Sequence, residues 1–160
     1  MKPSSLALLA AAAALLAGCA SKPAPQQGVP PELLNPAVTP QTLQQTVCVP
    51  AYAASVTPTA AADRSTMLEM MQRAGIDQAL SGTYVLDRRV PVALGGHPTQ
   101  AGNLQLLEWG GAYGEQRKQA LERRLLLMVC EGKLSLGAAQ AAIYPDWGPA
   151  YGRYIEGRQP

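Results

Sequence analysis

The 160-residue sequence has no phenylalanine and one histidine, and aromatic residues make up only 5% of it. A single histidine excludes any catalytic or metal site that needs two histidine side chains from one chain. Few aromatic residues limit the apolar surface that a core can bury, which favours a covalent staple. Acidic and basic residues are nearly balanced at a net charge of +2, which is not typical of a strong nucleic-acid binder.

One long apolar run, at residues 6–17, lies close to the N-terminus. It is shorter than the roughly 20 residues that a membrane-spanning helix needs, and it has the length of a signal-peptide core. The run ends in Leu-Ala-Gly-Cys at residues 16–19, which resembles the bacterial lipobox. We therefore predict a signal peptide over residues 1–18 and acylation of Cys19. An ordinary secretory signal with a chance cysteine is the alternative.

The residue after Cys19 is Ala20 rather than aspartate. By the sorting rule for lipoproteins of two-membrane bacteria, this indicates the outer membrane. We therefore expect a lipid-anchored protein of the cell envelope that faces the periplasm. Its partners would be membrane lipid, through Cys19, and an unidentified protein or other envelope component.

Two cysteines remain once Cys19 is acylated, namely Cys48 and Cys130. In an oxidising compartment an isolated pair predicts a disulfide bond. Closing a loop of about 80 residues would stabilise the fold by roughly 4 kcal/mol in the chain-entropy model. Two buried free thiols are the alternative interpretation.

Residues 19–46 are rich in proline, glutamine, alanine and threonine and contain few bulky apolar side chains. This composition predicts a flexible, disordered tether. We expect the folded domain to occupy residues 47–160.

A helix is predicted over residues 63–74, with Asp63 or Ser65 as its cap. The four-residue spacing of Met67 and Met71 gives this helix one apolar stripe. A methionine stripe can form an adaptable binding surface, but packing into the core is the favoured interpretation.

Two strands are predicted, over residues 83–86 and 89–94, and a proline marks the second as an edge strand. Helices are predicted over residues 115–131 and 136–143, with apolar residues on one face of the first. Trp147, beyond the last helix, is expected to fill the core.

Three stretches of the chain form a pattern when they are taken in order. They are Cys-Val-Pro-Ala-Tyr at 48–52, Leu-Asp-Arg-Arg-Val-Pro-Val-Ala-Leu-Gly-Gly at 86–96 with Asn103, and a helix with Lys118 and Glu122 before Cys130. Together they resemble secreted proteins with an HNH-nuclease-like (ββα-metal) domain, over roughly residues 47–154. The resemblance implies an α+β fold, a small ββα-metal-like domain with a β-hairpin and several helices, preceded by the disordered tether.

Nucleases of this family use a histidine as general base and a divalent metal held by aspartate and by histidine or asparagine. Asp87 and Asn103 match this pattern, but Arg88 stands where the catalytic histidine is expected. An arginine stays protonated near neutral pH and cannot act as a base. The helix position that would complete the metal site falls near Gln116, a poor ligand, and His97 lies in a predicted turn. We therefore expect no bound metal and no other cofactor.

The sequence favours a degenerate, non-catalytic domain with a binding or structural role. The alternative is a metal-dependent endonuclease acting on DNA outside the cytoplasm, with His97 as a possible base. Binding of DNA without cleavage is a third hypothesis, which the balanced charge does not favour. Asp87 is expected to pair with an arginine, while Arg88, Arg89 and Lys118 are candidates for an anion pocket.

Overall fold

The structure is a computed structural model and describes residues 28–158. The predicted signal peptide, the lipidation site Cys19 and the first part of the predicted tether lie outside these residues. The described chain is α+β, with a two-stranded antiparallel sheet and five α-helices among residues 28–158.

The hairpin consists of β1 (Tyr84–Arg88) and β2 (Leu104–Glu108), and the long helix α3 (Glu115–Cys130) follows it. Strand β1 lies close to its predicted position. The prediction of a second strand over residues 89–94 is wrong, and the partner of β1 begins further along the chain.

The segment after β1 cannot continue the ladder, because its backbone groups are bonded elsewhere. Pro91 has no N–H to donate. The N–H of Val90 donates to Oδ1 of Asn103, and its C=O accepts from Nδ2 of the same side chain. A 3₁₀ turn at Val92–Leu94 then redirects the chain. The strand that pairs with β1 is therefore β2, further along the chain.

Helix α2 spans Ala60–Arg73 and begins earlier than predicted, because Thr59 rather than Asp63 or Ser65 caps it. The hydroxyl of Thr59 accepts a hydrogen bond from the N–H of Ala62 at 3.3 Å. Met67 and Met71 are both buried, which confirms that the methionine stripe belongs to the core.

The main core forms where α3 packs against α4 (Leu136–Ile143) and α5 (Gly148–Tyr154). The predictions of α3 and α4 are confirmed to within a residue, and Trp147 is buried in this core as expected. The hydroxyl of Ser135 caps α4. A short helix α1 (Tyr52–Val56) and helix α5 were not predicted. Within residues 28–158, no helix is long and apolar enough to cross a membrane. The core members contributed by α3 and α4 are Leu121, Leu125, Val129, Leu136, Ala139 and Ile143.

The folded part begins before residue 47, so the prediction that the tether extends to residue 46 is corrected. Leu33 and Val38 are buried, and the N–H of Asn35 donates to the C=O of Gly95 at 2.8 Å. The N–H of His97 donates to the C=O of Leu33 at 2.8 Å. The apolar side chains of this segment are too few to predict a core from the sequence. They are buried because they pack against other segments of the folded chain.

The predicted disulfide bond between Cys48 and Cys130 is confirmed, with the two Cα atoms 5.6 Å apart. It joins the segment before α1 to the last residue of α3. The cross-link therefore holds the N-terminal part of the domain against its longest helix.

Candidate functional site

The strand–strand–helix unit places the motif residues of β1 beside α3 and α2. Side chains alternate along a strand, so neighbouring residues point to opposite faces. Asp87 contacts Lys118 on α3, whereas Arg88 contacts Asp63 on α2. The two motif residues therefore serve different sides of the hairpin.

Lys118 is the most enclosed charged residue of this region, with a side chain that is 0% exposed. Its ammonium donates to Oδ1 of Asp87 at 2.7 Å, to the C=O of Arg88 at 2.8 Å and to Oε1 of Glu122 at 2.6 Å. An ammonium group has three N–H donors, so these three acceptors satisfy it completely. The side-chain ammonium of Lys118 thus occupies the space between β1 and α3.

The charge of Lys118 is maintained by its neighbours. Burial lowers the pKa of this ammonium, but the carboxylates of Glu122 and Asp87 outweigh that effect and leave the pKa raised above 10.5. The remaining oxygen of Asp87, Oδ2, accepts from Nε2 of Gln105 at 2.6 Å. Both carboxylate oxygens of Asp87 are therefore engaged by the protein itself.

Glu115, the first residue of α3, lies near the same cluster and was not predicted as part of it. Burial, followed by repulsion from the Asp87 carboxylate, raises its pKa from 4.5 to about 7. Gln119 donates to its Oε1 at 2.9 Å, while its buried Oε2 has no hydrogen-bond partner in the described part of the chain. Glu115 is therefore a carboxyl group of the cluster that changes charge near neutral pH, and burial raises the pKa of Glu122 as well.

Arg88 is held by α2 and by the loop that follows β1. Its guanidinium forms two parallel hydrogen bonds with the carboxylate of Asp63, each 2.7 Å long. Its Nε donates to the C=O of Pro98 at 3.0 Å. This fork geometry is the strongest form of an arginine–carboxylate pair. The expectation that Asp87 pairs with an arginine is wrong, because Asp87 pairs with Lys118 and Arg88 pairs with Asp63.

Asn103 is fully buried, and its side chain forms hydrogen bonds with backbone groups, namely the N–H and C=O of Val90 and the C=O of His97. This arrangement requires Gly96, because a Cβ there would lie 1.8 Å from the C=O oxygen of Val90. His97 accepts at Nδ1 from the N–H groups of Thr99 and Gln100, which agrees with a turn-forming residue. Both residues therefore shape the loop.

The candidate anion pocket receives no support from this geometry. The ammonium of Lys118 is enclosed, and the side chain of Arg88 is 11% exposed and already paired. Arg89 forms no ion pair among residues 28–158, and only its backbone N–H is engaged, by the C=O of Asn103. Gln116 is exposed.

The residues of this region do not fit the divalent metal that the family resemblance implies. Asp87, the expected ligand, is saturated by Lys118 and Gln105. Among the described residues, no three histidine, cysteine, aspartate or glutamate side chains are grouped so that they could hold a metal ion. The chemistry available here is that of an internal ion-pair network with two glutamates, Glu115 and Glu122, whose pKa values are raised by burial.

Sequence reasoning identified Asp87 and Lys118 but missed their direct contact, and it missed Asp63 as the partner of Arg88. The spacing of Lys118 and Glu122 by four residues on one helix was the visible signal for their ion pair. In comparisons with known proteins, no family model, no curated protein and no solved structure matches this chain.

Proposed function

We propose that this protein is a membrane-anchored lipoprotein whose degenerate HNH-nuclease-like domain is non-catalytic and serves a binding or structural role. One observation carries the proposal: the ammonium of Lys118 lies between Asp87 and Glu122, in contact with both carboxylates. A nuclease centre of this type needs that aspartate free to hold a metal. Here the aspartate instead ties a strand to a helix.

The position of Arg88 supports the same proposal. A general base must reach the attacking water and must accept its proton. Arg88 cannot accept a proton near neutral pH, and its donors are directed to Asp63 and to the backbone of Pro98. His97 uses Nδ1 to organise its own turn.

The alternative function is a metal-dependent HNH-type endonuclease acting on DNA outside the cytoplasm. Glu115 is the observation that favours it, because a carboxylate with a pKa of about 7 and one unpartnered oxygen suits a general base. In this alternative, Glu115 would take the proton from the attacking water.

A nuclease assay separates the two functions. The detergent-solubilised protein is incubated with plasmid and single-stranded DNA in separate reactions with Mg²⁺, Mn²⁺ and Zn²⁺. We expect no metal-dependent cleavage above background. Cleavage that is lost in Glu115→Gln but retained in Glu108→Gln, an exposed carboxylate of β2, would establish the endonuclease.

The anchoring part of the proposal rests on the lipobox that ends at Cys19 and draws support from the Cys48–Cys130 disulfide, which fits an oxidising compartment. Labelled palmitate should be incorporated into the wild-type chain and not into Cys19→Ser. Density-gradient fractionation should place the labelled protein with the outer membrane. Equal labelling of Cys19→Ser would contradict acylation at this residue.

A further inference from the structure

A cleft with a volume of about 830 Å³ opens between α4 and α5, apart from the Asp87–Lys118 cluster. Its lining combines small side chains of the two helices, such as Ala138 and Ala142, with two tyrosines and two arginines. The volume falls within the roughly 300–1,000 Å³ typical of small-molecule sites. The tyrosines are Tyr113 and Tyr154, and the arginines are Arg153 and Arg158.

Tyr113 presents an exposed aromatic ring to this cleft, because it is 65% exposed. One edge of its ring contacts the buried ring of Trp147, with 5.6 Å between the centroids and the two planes tilted by 58°. Gly148 leaves the necessary space, because a Cβ there would lie 2.8 Å from Cε1 of Tyr113. Tyrosine offers a large contact area at a low cost in side-chain entropy. Tyr113 is therefore suited to contact the ring of a planar ligand.

Arg153 supplies an unneutralised positive charge beside the aromatic rings. Its guanidinium lies 5.4 Å from the centroid of the Tyr154 ring, and it forms no ion pair with any residue in 28–158. The other arginine of the cleft, Arg158, is paired with Glu156. Asp146, the acidic residue of the lining, accepts at Oδ1 from the N–H of Gly148. A guanidinium on an exposed surface binds carboxylates through charge-assisted hydrogen bonds.

We propose that this cleft binds a small aromatic carboxylate, with the ligand ring against Tyr113 and the carboxylate on Arg153. The exposed ring of Tyr113 supplies the apolar contact, and the guanidinium of Arg153, which forms no ion pair among residues 28–158, selects the charge of the ligand. Neither Asp87 nor Lys118 lines this cleft, so ligand binding there is independent of the result of the nuclease assay.

The first test compares three probes that separate ring from charge: 3-phenylpropionate, the uncharged 3-phenylpropanol, and propionate. Binding is followed by the fluorescence of Trp147 in a Trp109→Phe background, because the rings of Tyr113 and Trp147 are in contact. We expect saturable binding of 3-phenylpropionate and at least about tenfold weaker binding of the other two. Equal binding of the alcohol, or no saturable binding of 3-phenylpropionate, overturns the proposal.

The second test uses matched variants of the same protein. Gly148→Ala displaces Tyr113, whereas Gly137→Ala on α4 is the control, because a Cβ at Gly137 meets nothing within 4 Å. Arg153→Gln removes the charge, and Arg124→Gln removes an exposed charge outside the cleft lining. We expect about tenfold weaker binding for both cleft variants and wild-type affinity for both controls.

Arg153 is exposed, so we expect Arg153→Gln to fold normally. This variant therefore tests the proposal even if Gly148→Ala unfolds the protein. Unchanged affinity in Arg153→Gln contradicts the assignment of the carboxylate site. Sedimentation of the wild-type chain as a dimer that Tyr113→Ala dissociates would assign the cleft to a second copy, and would also overturn the proposal.

Discussion

The Nζ atom of Lys118 lies 2.7 Å from Oδ1 of Asp87, and neither side chain is more than 4% exposed. The pair joins the end of strand β1 to the first turn of helix α3 and is shielded from solvent. Buried ions are costly to desolvate, so such a pair persists only when every donor and acceptor is satisfied. Glu122, Gln105 and the C=O of Arg88 complete that requirement.

Removing the ammonium should therefore be severe. Lys118→Met keeps the length of the side chain but leaves the carboxylates of Asp87 and Glu122 buried without a cation. We expect a loss of about 3–5 kcal/mol in the free energy of unfolding, measured by urea denaturation. Lys133→Met is the control, because Lys133 is 66% exposed and pairs with Glu131 at the surface. A similar change in the two variants would show that the buried pair is not what holds β1 to α3.

The pair formed by Arg88 and Asp63 should contribute measurable coupling between β1 and α2. A double-mutant cycle with Arg88→Gln and Asp63→Asn isolates the interaction, and we expect a coupling energy of about 1–3 kcal/mol. The exposed pair of Arg117 and Glu156, whose side chains are 39% and 35% exposed, serves as the comparison. Its coupling should stay below about 1 kcal/mol. Equal coupling in both cycles would contradict a special role for the Arg88 fork.

Stability should depend on pH through Glu115. Its pKa is raised from 4.5 to about 7 in the folded protein, so between these values the folded state keeps a proton that the unfolded state has released. The free energy of unfolding is therefore expected to fall as the pH rises through this window, by roughly 2 kcal/mol. Urea denaturation at about pH 5 and about pH 8 measures the difference. Glu115→Gln should reduce the slope and leave only the part that comes from Glu122, whose pKa is also raised by burial, whereas Glu108→Gln should not change it. An undiminished slope in Glu115→Gln would contradict the assignment to Glu115.

The disulfide bond should account for a large part of the stability of a chain with so few aromatic residues. Cys48 and Cys130 are separated by 82 positions, and opening such a loop costs roughly 4 kcal/mol in the chain-entropy model. The Cys48→Ser/Cys130→Ser variant should lose about that much free energy of unfolding, and dithiothreitol should affect only the wild-type protein. If dithiothreitol destabilised both proteins equally, its effect could not be attributed to reduction of the Cys48–Cys130 bond.

Local signals were sufficient for the elements with strong sequence patterns. Helix α3 has an unbroken amphipathic repeat, α4 has a serine cap, and the two cysteines beyond the lipobox had only one possible partner each. The second strand was misplaced because residues 89–94 look β-like in isolation. The backbone N–H and C=O of Val90, which a strand would use for pairing, are instead hydrogen-bonded to the side chain of Asn103, 13 positions away in the chain.

The sequence by itself determined the signal-like pattern of the N-terminus, the two principal helices, the cysteine pair and the presence of an arginine rather than a histidine at position 88. Only the tertiary structure decided what the motif charges do. Whether Lys118 faces solvent, an anion or Asp87 depends on how α3 packs on the hairpin, and whether Arg88 is free depends on where α2 places Asp63. Charge pairing acts through space over a few ångströms, and a linear pattern does not encode which distant residues come within that range.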